Sequence, residues 1–216
     1  YLIVAAKTDA SSKHAGMSIF IIDRETPGIS ATKLDKLGWK ASDTGEIAFD
    51  NVKVPLENLM GEEGKGFTYA MAGLDGGRLN IAASALGGAQ FALNSALAYM
   101  SERKAFGKTL NKFQALQFKL ADMEVKLQTA RTFLRQAAWK LDTNARDAST
   151  FCAMAKLYVT DVSFDVANEA LQLHGGYGYL TDYGIEKIVR DLRVHQILEG
   201  TNEIMRVIVS RQMLTE

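Results

Sequence analysis

A single cysteine, Cys152, leaves this chain without a partner for an internal disulfide and without the thiolates that a cysteine-based zinc site needs. A reducing compartment is the expected setting. Cys152 lies in a helical pattern, where a small buried apolar residue is the ordinary role. Proline is almost as scarce: Pro27 and Pro55 are the only two, so nothing after Pro55 carries that kind of helix breaker. Net charge is missing as well. Lys plus Arg and Asp plus Glu each total 25, which gives no large-scale field to draw the chain to nucleic acid or to an anionic membrane. The three histidines, His14, His174 and His195, are scattered without metal-ligand spacing, and no metal site is expected. No run of about 18 consecutive apolar residues appears, so no membrane span is expected either. There is no initiator methionine and no signal-peptide pattern. The opening Tyr1-Leu2-Ile3-Val4-Ala5-Ala6 reads as a strand already under way, as in part of a longer protein.

What is present is apolar residue in quantity, 47% of 216 residues, enough to bury a core in one or two domains. The first fifty-odd residues read as β. Short apolar runs at Leu2–Ala6, Met17–Ile22 and Ile47–Phe49 are separated by Gly, Asp, Ser and Pro turns. From Gly66 the pattern becomes helical. Leu116, Leu120, Met123, Leu127, Ala130, Leu134, Ala137 and Leu141 step by four and three, which predicts an amphipathic helix of about seven turns. Val159, Val162, Val166, Ala170 and Leu173 predict a shorter one, Leu79 to Met100 an Ala- and Gly-rich one, and Asn202 to Met213 a last. The expected class is α+β, mainly α: a partial β-domain over 1–58, a glycine-rich linker over 59–66, and an up-and-down helical bundle over 67–216.

Several segments carry chemistry, each with a structural alternative. In Leu198-Glu199-Gly200-Thr201-Asn202-Glu203 an acid sits among apolar residues, before a glycine and a helix-capping threonine. A carboxylate at such a loop-to-helix junction can be tuned by burial, which makes Glu199 a candidate general base. The alternative is a carboxylate stabilised by the helix dipole, with Glu203 one turn on. Gln172-Leu173-His174-Gly175-Gly176 ends a predicted helix; it reads as a C-cap and turn, or as the polar edge of a ligand site. Arg103, in a basic cluster at a helix end, either answers the helix dipole or pairs with a phosphate. Asp75 and Arg78 stand three apart at what reads as a helix start. Gly61, Gly64 and Gly66 lack P-loop spacing.

Taken in order, Phe49 to Pro55, Gly64-Lys65-Gly66-Phe67, Arg103-Lys104-Ala105-Phe106-Gly107, Leu171 to Gly178 and Leu198 to Glu203 resemble the acyl-CoA dehydrogenase family, across nearly the whole chain. The wording of Gly76-Gly77-Arg78 and His174 to Tyr179 looks most like the isobutyryl-CoA dehydrogenase branch, which implies a short, branched acyl chain. The resemblance implies the back half of a β-barrel-like central domain and a C-terminal bundle. It also implies FAD as cofactor and oxidation of an acyl-CoA to the 2-enoyl-CoA. Glu199 matches the base, with Gly200 leaving room for substrate and Leu74, Asp75 and Arg78 bordering the acyl-CoA. Arg103, Phe106, Phe113 and Gln114 match positions at the FAD of a neighbouring subunit, as do Gln172, Leu173, His174, Gly175 and Gly176; Thr201 and Glu203 match local flavin contacts. Shared sites of this kind imply a homotetramer, a dimer of dimers, passing electrons to electron-transfer flavoprotein in bacterial cytoplasm or mitochondrial matrix. Asp75 is a rival base. An acyl-CoA oxidase, or a fragment serving only oligomerisation, are the competing readings.

Overall fold

A computed structural model describes residues 1–12 and 14–215. The chain forms two compact units, residues 1–74 and 75–216, and one helix runs through the division.

In the first unit, β1 (Leu2–Lys7) pairs antiparallel with β2 (Met17–Ile22), in a register from Leu2 opposite Ile22 to Lys7 opposite Met17. β3 (Ile29–Lys33) pairs with β4 (Gly45–Phe49) as a second antiparallel hairpin. β3 has no counterpart among the expected strands, because Ser-Ala-Thr-Lys gives it no apolar alternation. Ser18, fully buried in β2, organises the stretch that follows. Its hydroxyl bonds Thr8 Oγ1 and accepts the Gly64 N–H, both at 2.9 Å. Met60 N–H donates to the Ile19 carbonyl at 2.8 Å, and Glu62 N–H to the Tyr69 hydroxyl at 3.1 Å. Residues 59–66 are thus hydrogen-bonded to β2 and to the first turn of the following helix.

That helix, α1 (Gly66–Glu102), is 37 residues long, about 55 Å at the usual rise. It begins well before Leu79, so the Leu74-Asp75-Gly76-Gly77-Arg78 stretch lies in its interior rather than at a helix start. Glycine weakens a helix by roughly 1 kcal/mol against alanine, and packing overrides that here. By length and composition α1 is apolar enough to cross a bilayer. Gly, Ser, Asn and Arg interrupt the run, so its apolar residues are not consecutive. One face of α1, with Ala82, Ala85, Leu86, Ala89, Ala92, Leu93, Ala96 and Met100, is buried in one core, while Met71, Phe91 and Leu97 are exposed.

The second unit adds α2 (Gln114–Asp142), α3 (Ala148–His174), α4 (Ile185–Arg193) and α5 (Asn202–Thr215). A short hairpin of β5 (Lys104–Ala105) and β6 (Lys108–Thr109) joins α1 to α2. The expected stripe on α2 is its buried face, with Met123, Leu127, Ala130 and Ala137 inside and Leu116, Leu120 and Leu134 packed at the margin. α3 starts eleven residues before the first residue of its expected pattern and is buried on most of its circumference, as a helix enclosed by neighbours should be. Small residues bring the helices close. A Cβ on Gly88 of α1 would stand 3.1 Å from Leu192 of α4. The α+β, mainly helical class is the one expected; the short α4, nine residues without a long apolar period, was not foreseen.

Candidate active site

The acid Glu199 closes a tight link between α4 and α5. After α4 the chain makes one 3-10 turn, Val194–Gln196, and the Val194 carbonyl accepts the N–H groups of Ile197 at 2.8 Å and Leu198 at 3.0 Å. Two left-handed residues follow, Glu199 at φ +56° and Gly200 at φ +90°. A non-glycine residue in this region is strained, with a cost on the order of 1 kcal/mol. Thr201 then caps α5: its hydroxyl accepts the Ile204 N–H at 3.4 Å, and its carbonyl the Met205 N–H at 3.0 Å. The reversed backbone carries the Glu199 side chain, half-buried, onto α1 at Gly77. A Cβ on Gly77 would lie 2.5 Å from Glu199 Oε2 and 3.0 Å from Oε1, so the carboxylate rests on bare helix backbone. Glu199 therefore does not sit in the first turn of α5. Glu203 does, exposed, and a bond from its own N–H with one from the Thr201 hydroxyl keeps its carboxyl below the usual range.

Asp75 is engaged on both oxygens. Arg78 Nη1 donates to Oδ1 at 2.7 Å, and the Ser149 hydroxyl donates to Oδ2. Their burial removes the cheap surface ion pair from consideration, and the hydrogen bonds leave Asp75 poorly placed as a rival base. Arg78 is 8% exposed, and its Nε–H is buried without a hydrogen-bond partner, an uncommon state for a guanidinium.

A second group of residues lines a hollow of about 540 Å³ at the end of α3. Gln172, Leu173, His174, Gly175 and Gly176 line it together with Arg103, Lys119, Leu110 and Leu116. Gly175, at φ +60°, ends α3 in a C-cap, and a Cβ on Gly175 or Gly176 would meet nothing within 4 Å. The segment terminates the helix and exposes bare backbone to the hollow. The imidazole of His174 faces inward, buried. Nδ1–H donates to the Ala170 carbonyl at 2.7 Å, and the ring stacks on Tyr99 at 4.5 Å. Burial raises the Tyr99 hydroxyl above its ordinary pKa. Lys119 is paired with Glu169, whereas Arg103 has no carboxylate partner among the described residues and lies over the Tyr177 ring at 5.3 Å.

Phe106, Phe113 and Gln114 do not line this hollow. Phe106 and Gly107, at φ +51° and +80°, form the tip of the β5–β6 hairpin, and Phe106 is 96% exposed. It meets Phe113 edge-to-face at 6.4 Å. Cys152 has the plain role expected of it: buried, with its thiol pushed up to about 11 by burial.

Sequence reasoning missed Lys156. Its side chain is fully buried, and Nζ donates to the Gly200 carbonyl at 2.8 Å and to Asn202 Oδ1 at 2.7 Å. Asn202 in turn donates to Asp161 Oδ1 at 2.7 Å and to Thr160 Oγ1 at 3.0 Å. The signal was present: Lys156, Thr160 and Ser163 stand at i, i+4 and i+7 in a helix otherwise apolar on that face. Burial pushes the lysine pKa down to about 8, with Asp161, Glu203 and Glu199 opposing the shift and Arg78 adding to it. The unfolded chain therefore holds the proton more tightly between pH 8 and the ordinary lysine value of 10.5, and stability contributed at this site rises with pH across that window. Against a Lys156→Met control, the native protein is expected to gain about 3 kcal/mol from the lower to the upper end, read by urea unfolding.

Comparison with known proteins gives the family. Residues 64–214 match the family model described as acyl-CoA dehydrogenase, C-terminal domain. The chain is 46% identical over 212 residues to a mitochondrial isobutyryl-CoA dehydrogenase of Dictyostelium discoideum, covering 98% of this chain and 51% of that protein. It superimposes on the butyryl-CoA dehydrogenase structure from Megasphaera elsdenii with a TM-score of 0.92 and 44% identity, covering 98% of this chain and 55% of that one. A chain from a structure described as the electron transferring flavoprotein of Acidaminococcus fermentans gives a TM-score of 0.94 at 44% identity, with 99% and 56% covered. The chain thus spans about half the length of the relatives it matches. With that match across 64–214, the chain belongs to the acyl-CoA dehydrogenase family.

Proposed function

We propose that this chain supplies the base-bearing part of an FAD-dependent dehydrogenase that oxidises a short-chain acyl-CoA, a branched chain first among the candidates, to the 2-enoyl-CoA. The observation that carries the reading is the Glu199 carboxylate, half-buried against Gly77 on a strained turn, with both alternative acids nearby otherwise occupied or exposed. Its Dictyostelium and Megasphaera relatives, named for isobutyryl-CoA and butyryl-CoA, support a short acyl chain.

The residues present fit a flavin dinucleotide. Among the described residues Arg103 is a guanidinium without a carboxylate partner, and Gly175 and Gly176 leave open backbone along the hollow, where a Cβ would meet nothing within 4 Å. Arg103, Gln172, Gly175 and Gly176 would hold the FAD of a neighbouring subunit at the hollow, beside the apolar Leu110 and Leu116. FAD, when bound, supplies a two-electron acceptor for the β-hydrogen with its electron pair. The chain's own residues act on the other side of the bond. A thioester α-proton is weakly acidic, so the base must be oriented and water kept off it. Glu199 takes that proton on a carboxylate oxygen, and Gly200, at φ +90° with Met205 Cε 2.8 Å from where a Cβ would stand, is proposed to border the thioester. Arg78, with an unsatisfied buried N–H, is a cation at the acyl-CoA border beside Leu74 and Asp75. Phe106, Phe113 and Gln114 are proposed to reach the FAD of a neighbouring subunit in a homotetramer, a dimer of dimers. Electron-transfer flavoprotein is the proposed acceptor; the A. fermentans likeness supports that choice. Bacterial cytoplasm or mitochondrial matrix is the proposed location.

The test is a substrate panel on the FAD-loaded protein: isobutyryl-, 2-methylbutyryl- and butyryl-CoA with an artificial electron acceptor. Enoyl-CoA formation with one of these at a clear kcat/KM advantage is expected; no turnover with any of them overturns the reading. Arg103→Ala is expected to weaken FAD binding by roughly 10- to 100-fold, the worth of one charged hydrogen bond, in a flavin-fluorescence titration.

A further inference from the structure

The geometry assigns Lys156 as the positioning residue of the Glu199 turn: its ammonium, by gripping the Gly200 carbonyl and the Asn202 side chain, holds the left-handed pair 199–200 in the conformation that aims the carboxylate at Gly77. The inference rests on the reading of Glu199 as base.

Three observations on different elements converge. The first is backbone. Residues 199 and 200 both occupy the left-handed region, so the link between α4 and α5 is held against its local preference by something outside it. Within the link itself, the hydrogen bonds at Ile197 and Leu198 and at Thr201 act on either side of this pair. The second is the grip. Lys156 reaches from the middle of α3, 44 residues away in sequence, and its Nζ donates to the carbonyl of Gly200 at 2.8 Å. The same nitrogen donates to Asn202 Oδ1 at 2.7 Å, so it bridges the turn and the first residue of α5. The third is anchorage. Asn202 is itself 3% exposed and fixed by its amide donating to Asp161 and Thr160, while Gln196, just before the turn, donates to the same Asp161 oxygen at 2.8 Å. Both ends of the turn are therefore referred to α3, with Lys156 touching the carbonyl of Gly200, next to the strained Glu199.

A fully buried lysine is an expensive way to hold a loop. Burial disfavours its charged form, and a lysine serving the core alone would be replaced by an apolar side chain without loss. What an apolar side chain of similar length cannot reproduce is the pair of donors. Lys156 does not touch the reacting atoms; it acts through the backbone that bears them.

The experiment uses the FAD-loaded protein and a Lys156→Met variant, with Lys156→Gln as a second. Thermal melting and circular dichroism establish that each is folded. For Lys156→Met a loss in kcat of at least tenfold is expected, with KM within about threefold, because orientation of the base is disturbed and substrate contacts are not. Amide hydrogen exchange at Leu198–Asn202 is expected to accelerate in the same variant while α1 and α2 stay protected. Lys156→Gln, which keeps one donor, is expected to recover part of both effects. A folded Lys156→Met with native kcat and native exchange at 198–202 overturns the inference. Where neither variant folds, exchange in the unaltered protein decides: protection of the Glu199 and Gly200 amides comparable to the first turn of α5 is required, and free exchange there overturns it. Failure of the parent reading looks different, since it appears as an active Glu199→Gln protein whatever Lys156 does.

Discussion

Glu199→Gln in the FAD-loaded protein is expected to lower kcat roughly 10³-fold, within the range that a single general base contributes. The amide is close to isosteric, so the left-handed turn, the contact with Gly77 and the grip of Lys156 on Gly200 should survive. What the amide cannot do is accept the α-proton. Binding of a non-oxidisable acyl-CoA analogue is therefore expected to change by no more than a few-fold, and FAD content not at all. Stopped-flow reduction at saturating substrate separates these quantities. Near-native reduction rates would remove Glu199 from the chemistry and return the question to Asp75, whose two oxygens are at present committed to Arg78 and Ser149.

Gly77→Ala is expected to act from the opposite side of the same contact. In a helix interior this exchange normally stabilises by about 1 kcal/mol. The new methyl, however, would stand 2.5 Å from Glu199 Oε2, too close for any real contact, so the carboxylate must swing away. Displacement of a reacting group by about 1 Å costs on the order of 100-fold in rate. The expected result is a protein that melts no lower than native and turns over about 100-fold more slowly. Thermal melting and kcat on the same preparation check both halves. A native rate would mean that Glu199 works from a position other than the one above Gly77.

Much of the architecture was legible because the helices announce themselves by period. The stripe from Leu116 to Leu141 fixes a helix whose observed bounds are Gln114 and Asp142. Legibility failed where composition and context disagree. Gly66 read as linker and Leu74 to Arg78 as a helix start, yet Gly66, Gly73, Gly76 and Gly77 all lie in α1, and of these only Gly66 and Gly77 have neighbours that forbid a side chain. β3 was invisible because four of its five residues face solvent and its strand state comes from pairing with β4. At the site, the run from Glu199 to Thr201 pointed correctly to an acid beside a helix cap. The sequence was silent on the seat of the carboxylate, since Gly77 is 122 residues away and its role is to lack an atom. Lys156 was hidden for the same reason of distance, though its alignment with Thr160 and Ser163 offered a clue.

The left-handed backbone at Glu199 has an evolutionary corollary. At φ +56° a glycine or an asparagine would sit more comfortably than any glutamate. Drift toward greater robustness alone would erase the acid from this turn, so a lineage that relinquishes the chemistry should lose the carboxylate early, while the bundle around it persists unchanged.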